Sequence, residues 1–157
     1  MNIMILSAGT RNKIVQFYKE ALREQDKITG EKSLVIATDC SPFAPALYEA
    51  DVAEIVPPMT AEGYFETVLS LVRKHEVRGI FSLIDPELSL VAKHADALRT
   101  LSCEPLISPY EIVETAFHKA KMCDLFSEKG LRTPRYVLSV DEFLKKNRRA
   151  RCPILFL

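Results

Sequence analysis

Ile3-Met4-Ile5-Leu6-Ser7-Ala8-Gly9-Thr10-Arg11 is the stretch on which the fold turns. Its unbroken apolar run fits a strand buried on both faces, not one that alternates between core and water. The small residues that follow suit a tight turn. Residues 11–24 then carry Ile14, Val15, Phe17, Tyr18, Ala21 and Leu22 at helical spacing, with charges on the other side. Buried strand, small-residue turn and amphipathic helix make the first half of a βαβ unit.

The pattern repeats outward from there. Polar residues 25–32, broken by Gly30, predict a loop before a second buried strand at 34–38, which ends at Asp39. A short helix or irregular turn is expected at 42–50, and a third strand at 53–56 before Pro57-Pro58. Residues 61–75 predict a helix whose core stripe is Tyr64, Phe65, Val68, Leu69 and Val72. A fourth strand at 79–84 closes at Asp85-Pro86, a helix follows at 87–101, and a fifth strand at 105–107. This alternation argues an α/β fold with a doubly wound parallel sheet. Afterwards the order changes: helices at 109–117 and 119–129, then Gly130 and Thr133-Pro134, a strand at 136–138 and a helix from 140 to about 147. The final Cys152-Pro153-Ile154-Leu155-Phe156-Leu157 reads as a strand only just begun, with nothing after it to pair, so the chain is expected to be truncated.

Bulk properties exclude several classes. Lysine plus arginine balance aspartate plus glutamate at 21 each, so no positive field draws nucleic acid or an anionic membrane. The basic run at 145–151 lacks an aromatic platform and reads as a solvated helix end. Cys40, Cys103, Cys123 and Cys152 are widely spaced, which suits reduced thiols and gives no metal-ligand pattern. The apolar N-terminus is too short to span a bilayer and lacks the features of a signal peptide, so a cytoplasmic protein is expected. His75, His94 and His118 stand apart from one another and read as surface residues, leaving no residue assigned to catalysis.

In open parallel sheets, ligands bind beyond the carboxyl ends of the strands. Three segments fall there. Gly9, Thr10 and Arg11 form a turn into a helix N-terminus, which is either an anion site or a tight turn needing one flexible residue. Asp39 could meet a ribose or an amine, or cap a helix beginning at Ser41-Pro42. Asp85 and Glu87 flank Pro86; they could meet a cationic or hydroxylated ligand while Asp85 caps the helix and Glu87 complements its dipole. A glycine fingerprint for a dehydrogenase is lacking, since Gly9 stands alone.

Taken in order, Ser7-Ala8-Gly9-Thr10-Arg11, Thr38-Asp39, Leu83-Ile84-Asp85-Pro86-Glu87-Leu88, Phe117-His118-Lys119 and Gly130-Leu131-Arg132-Thr133-Pro134 resemble the N-terminal part of ATP-grasp enzymes, nearest the carbamoyl-phosphate-synthase large-subunit-like family. The resemblance implies a Rossmann-like pre-ATP-grasp domain at 1–118, a linker helix at 119–133 and the truncated start of an ATP-grasp domain at 134–157. It implies an ATP-dependent ligase that activates a carboxylate as an acyl phosphate for attack by an amine or ammonia. Lys119 matches the first of two lysines near the nucleotide phosphates, although the family's usual aspartate is His118 here. The second lysine would fall just past Leu157, so the chain is expected to be catalytically incomplete. ATP and Mg2+ belong to the parent family, with neither expected to bind tightly here. The expected partners are a missing C-terminal ATP-grasp domain, a small-molecule substrate and a second copy of the chain in a homodimer. The alternative is a stand-alone Rossmann-like module that binds a small metabolite or regulates.

Overall fold

A computed structural model describes residues 1–146 and 155–156. The chain divides into two compact units, Met1–Tyr110 and Glu111–Leu157.

In the first unit, β1 (Asn2–Leu6), β2 (Val35–Asp39), β3 (Val52–Ile55), β4 (Val77–Ser82) and β5 (Glu104–Pro105) form one parallel sheet in the order β3-β2-β1-β4-β5. Neighbouring residues of β1 serve opposite faces. Met4 and Leu6 pack with Ile36 and Ile80 against Phe65, Val68 and Val72 of α2 (Tyr64–Lys74), and with Val91 of α3 (Asp85–Lys93) and Leu98 of α4 (Ala95–Thr100). Ile3 and Ile5 pack with Val35, Ala37 and Phe81 against Val15 and Leu22 of α1 (Asn12–Thr29), and against Ala46 and Leu47 of a 3-10 turn at Pro45–Glu49. That division is why the run had to be apolar at every position, and it makes the sheet doubly wound as expected.

Two helices differ most from expectation. The expected loop at 25–32 is helical through Thr29, because α1 closes only at Gly30, whose N–H donates to the Asp26 carbonyl at 2.8 Å and whose φ of 72° turns the chain out of the helix. The polar residues there form the helix's solvated last turns, and Asp26 also accepts from the Ser33 amide and hydroxyl. The expected helix at 87–101 is two helices, α3 and α4, which meet at His94. His94 is half-buried and its ring stacks on Phe65 at 4.2 Å. His75 is likewise half-buried, its Nε2 lying 2.6 Å from Glu54 Oε1, so neither is the surface residue expected.

The second unit holds α6 (Lys119–Glu128), β6 (Tyr136–Val137), α7 (Val140–Lys146) and β7 (Leu155–Phe156), with α5 (Tyr110–Phe117) beginning at the division. The terminal strand, expected to lack a partner, pairs in parallel with β6 through Tyr136↔Leu155 and Val137↔Phe156. The basic positions 147–151 and the Cys152-Pro153-Ile154 start of that strand lie outside the described residues.

Candidate functional site

Strand order fixes where a ligand could sit. β1 has β2 on one side and β4 on the other, so the sheet winds away in both directions from the β1–β4 pair. In sheets of this order, ligands bind in the crevice beyond the carboxyl ends of such a pair, where the connecting loops diverge. Leu6 lies opposite Ser82 in the register, which brings the turn after β1 beside the turn after β4.

The turn after β1 is strained and braced. Ser7 has φ 44° and Gly9 φ 55°, both in the left-handed region, which a serine seldom adopts. The Ala8 amide donates to the Thr38 carbonyl at 2.9 Å, and the Gly9 amide to Asp39 Oδ2 at 2.8 Å. Asp39 Oδ1 accepts the Ser41 amide at 2.9 Å. Both oxygens of this buried carboxylate are thus committed to backbone. Asp39 does not cap a helix: the 3-10 turn begins at Pro45 behind Ala44, and the aspartate ties the β2 loop to the β1 turn instead. Because the Ala8 and Gly9 amides already have acceptors, neither is free to cradle a phosphate.

Under the same turn lies Glu87, with no exposure to solvent. The Ser7 hydroxyl donates to its Oε1 at 2.7 Å, the Tyr64 hydroxyl to Oε1 at 2.5 Å, and the Ser82 hydroxyl to Oε2. Three hydroxyls therefore satisfy a buried carboxylate that has no cationic partner among the described residues, the arrangement burial demands. Burial, followed by the adjacent Glu87 charge, pushes the Tyr64 phenol far above its ordinary pKa. Asp85 is not the helix cap. It is the first residue of α3, Ile84 occupies the cap position, and the Ile84 amide donates to Ser82 Oγ at 3.1 Å.

Arg11 crosses the crevice. Its Nη1 donates to the Ser7 carbonyl at 3.4 Å and its Nη2 to the Leu83 carbonyl at 3.5 Å, linking the loops that follow β1 and β4. Thr10, next to it in sequence, and Asp85, two residues beyond Leu83, are exposed. The structure therefore joins Gly9, Arg11, Asp39 and Glu87 in one network. Asp39 and Glu87 form its inner support, whereas Arg11 is half-buried and Thr10 and Asp85 are open to solvent. Lys119 is the exposed first residue of α6, in the second unit.

Sequence reasoning passed over Ser7, Tyr64 and Ser82 as site residues. Ser82 carried a signal, a hydroxyl at the end of an apolar strand, but Tyr64 was indistinguishable from a core aromatic. Among the described residues, no cluster of histidine, cysteine and acidic side chains could hold a metal ion, and no helix is long and apolar enough to cross a membrane.

The family described as "PylC-like, N-terminal domain" matches residues 3–106. No curated protein sequence matches the chain. Among solved structures, the chain is similar to the L-amino acid ligase from Bacillus licheniformis, with a TM-score of 0.60 and 20% identity over 90% of this chain and 34% of that one. Glycinamide-RNase-transformylase T from Mycobacterium tuberculosis gives a TM-score of 0.58 and 20% identity, over 86% of this chain and 37% of that one. The N5-carboxyaminoimidazole ribonucleotide synthetase from Thermotoga maritima gives 0.59 and 18%, over 92% and 36%. At these identities the likeness is one of fold. The chain spans little more than a third of these neighbours' lengths.

Proposed function

The chain belongs to the PylC-like N-terminal-domain family, a Rossmann-like pre-ATP-grasp fold, and from that premise we propose that it is the N-terminal, substrate-binding domain of an ATP-dependent ligase. The observation that carries this reading is the family match, which spans nearly the whole first unit from residue 3 to residue 106. The enzyme would activate a carboxylate as an acyl phosphate for attack by an amine or ammonia, as in carbamoyl-phosphate-synthase-like ligases. In its domain plan, residues 1–118 form the pre-ATP-grasp domain, 119–133 the linker helix, and 134–157 the start of the ATP-grasp domain.

The chemistry divides accordingly. Phosphoryl transfer needs several cations and a closed loop around the γ-phosphate. Lys119 is the residue here that would approach ATP, and alone it falls short of that set. Accordingly we assign no chemical step to this chain and place ATP and Mg2+ on an ATP-grasp domain acting with it. The first unit's part is to hold the non-nucleotide substrate at the crevice beyond β1 and β4, with Thr10, Arg11 and Asp85 facing it over the braced Gly9 turn.

Calorimetric titration of the 157-residue chain with Mg-ATP tests the division. No saturable binding below millimolar concentration is the expected result. Tight binding would overturn it, since a nucleotide site would then be complete in this chain, and a stand-alone binding or regulatory module would become the better reading.

A further inference from the structure

We propose that Arg11 is the residue that grips an oxyanion, a carboxylate or a phosphate, on the small molecule taken by this crevice; the inference rests on the substrate-binding reading above.

Several of the chain's cations are already matched by acids, among them Lys19, which like Arg11 is half-buried. Arg99 is paired with Asp96 and Glu104, Lys19 with Asp51, and Lys74 with Glu54. Each sits where its charge is met by a carboxylate. Arg11 is half-buried, yet among the described residues no carboxylate oxygen lies within salt-bridge distance of it. Its two hydrogen bonds, at 3.4 and 3.5 Å, are long ones to neutral carbonyls. A guanidinium has five N–H donors in a planar fork, so most of its capacity is unspent.

Two of the nearby acids are already occupied, and the third, Asp85, is exposed and makes no ion pair with Arg11 among the described residues. Asp39 is occupied by the Gly9 and Ser41 amides, and Glu87 by the hydroxyls of Ser7, Ser82 and Tyr64. These contacts hold the turn that carries Arg11 and fix the Ser7 carbonyl to which the guanidinium is tethered. The fold thus spends two buried carboxylates on bracing the turn and leaves the cation above it without an anion. A fork of donors fixed across the mouth of a crevice matches a carboxylate or phosphate in shape as well as charge. Asp39 and Glu87 are positioning residues on this account, and Arg11 is the contact.

The test uses the intact 157-residue chain labelled with 15N. The Arg11 Nε–H resonance is identified by its loss in Arg11→Lys, then followed during titration with sodium phosphate, sodium acetate and sodium chloride at constant ionic strength. Saturation of the Arg11 resonance by phosphate or acetate at about tenfold lower concentration than any other arginine, with chloride silent, is the expected result. A response to one anion alone identifies the group taken. If Arg11 drifts together with the other arginines in all three salts, the proposal is wrong. Arg11→Gln separates binding from a structural strut when the backbone amides of Thr10 and Leu83 are followed instead: the proposal expects melting temperature to hold while their saturable shift with anion disappears, and retention of that shift, whatever the melting temperature, would overturn it. Tight Mg-ATP binding together with a selective Arg11 response would remove the ligase-domain reading and leave this contact standing. Absent ATP binding with an unselective Arg11 would do the reverse.

Discussion

The Ser7 hydroxyl and Glu87 Oε1, 80 positions apart in the chain, meet at 2.7 Å across the carboxyl ends of β1 and β4. Glu87 is fully buried and takes two further hydroxyl donors, Tyr64 and Ser82. An amide at that position keeps one acceptor and points an N–H2 group at hydroxyls that need acceptors. Glu87→Gln is therefore expected to destabilise the chain by about 1–3 kcal/mol. Glu87→Ala leaves all three hydroxyls unpaired beside a cavity, and a loss of about 2–5 kcal/mol is expected. Urea denaturation of both variants checks the order; equal midpoints for wild type and Glu87→Gln would show that the carboxylate is not what holds the turn.

Tyr64 gives the same cluster a pH signature. Burial and then the Glu87 charge raise its phenol pKa, so the folded chain keeps the proton while the unfolded chain releases it at about pH 10. Above that pH the unfolded state binds fewer protons than the folded one, and stability falls as pH rises. The contribution is complete below about pH 10 and declines above it. The wild-type urea midpoint should consequently drop more steeply on going from about pH 9 to about pH 11 than that of Tyr64→Phe. Parallel slopes would place the alkaline loss elsewhere.

Gly9 and Asp39 make the second brace. At Gly9, φ is 55°, and an added Cβ would stand 3.3 Å from Arg11 Nη1 and 4.0 Å from Asp39 Oδ2. The arginine end can shift, so the backbone conformation sets the cost, about 1–2 kcal/mol for Gly9→Ala. Asp39→Asn leaves one of the two amides facing a nitrogen, with a similar expected loss of about 1–2 kcal/mol. The two share a hydrogen bond, so the double variant should lose less than the sum of the singles. Thermal melts of the three proteins decide it, and strict additivity would mean the two positions act independently.

The sheet was legible because every β1 residue must be apolar when alternate positions feed opposite cores, Met4 and Leu6 one way and Ile3 and Ile5 the other. The crevice was legible for the same reason: strand ends were visible, and Gly9, Asp39 and Asp85 lie at them. What could not be read was which acids face inward. Asp85 and Glu87 sit two residues apart on one helix start, one exposed and the other without exposure. Only the meeting of Ser7, Tyr64 and Ser82, from three separate elements, distinguishes them. The helical end of α1 was missed because its polar residues carry no apolar stripe, and the stop signal that mattered was Gly30 alone.

In the second unit, the Tyr136 hydroxyl donates to Asp124 Oδ1 at 2.6 Å, joining β6 to α6. That bond, followed by a smaller effect of burial, raises the Tyr136 pKa to about 12. The hydrogen bond exists only while the phenol holds its proton, and ionisation would set two negative charges against each other. Asp124→Asn keeps an acceptor but removes the charge, so the Tyr136 pKa should move down toward the ordinary value of about 10. Ultraviolet titration of tyrosinate reads this directly as the difference between wild type and variant, with Tyr136→Phe identifying which of the five tyrosines moves. A wild-type titration with no late tyrosine beyond Tyr64, unchanged by Asp124→Asn, would mean that β6 and α6 are not joined through this pair in solution.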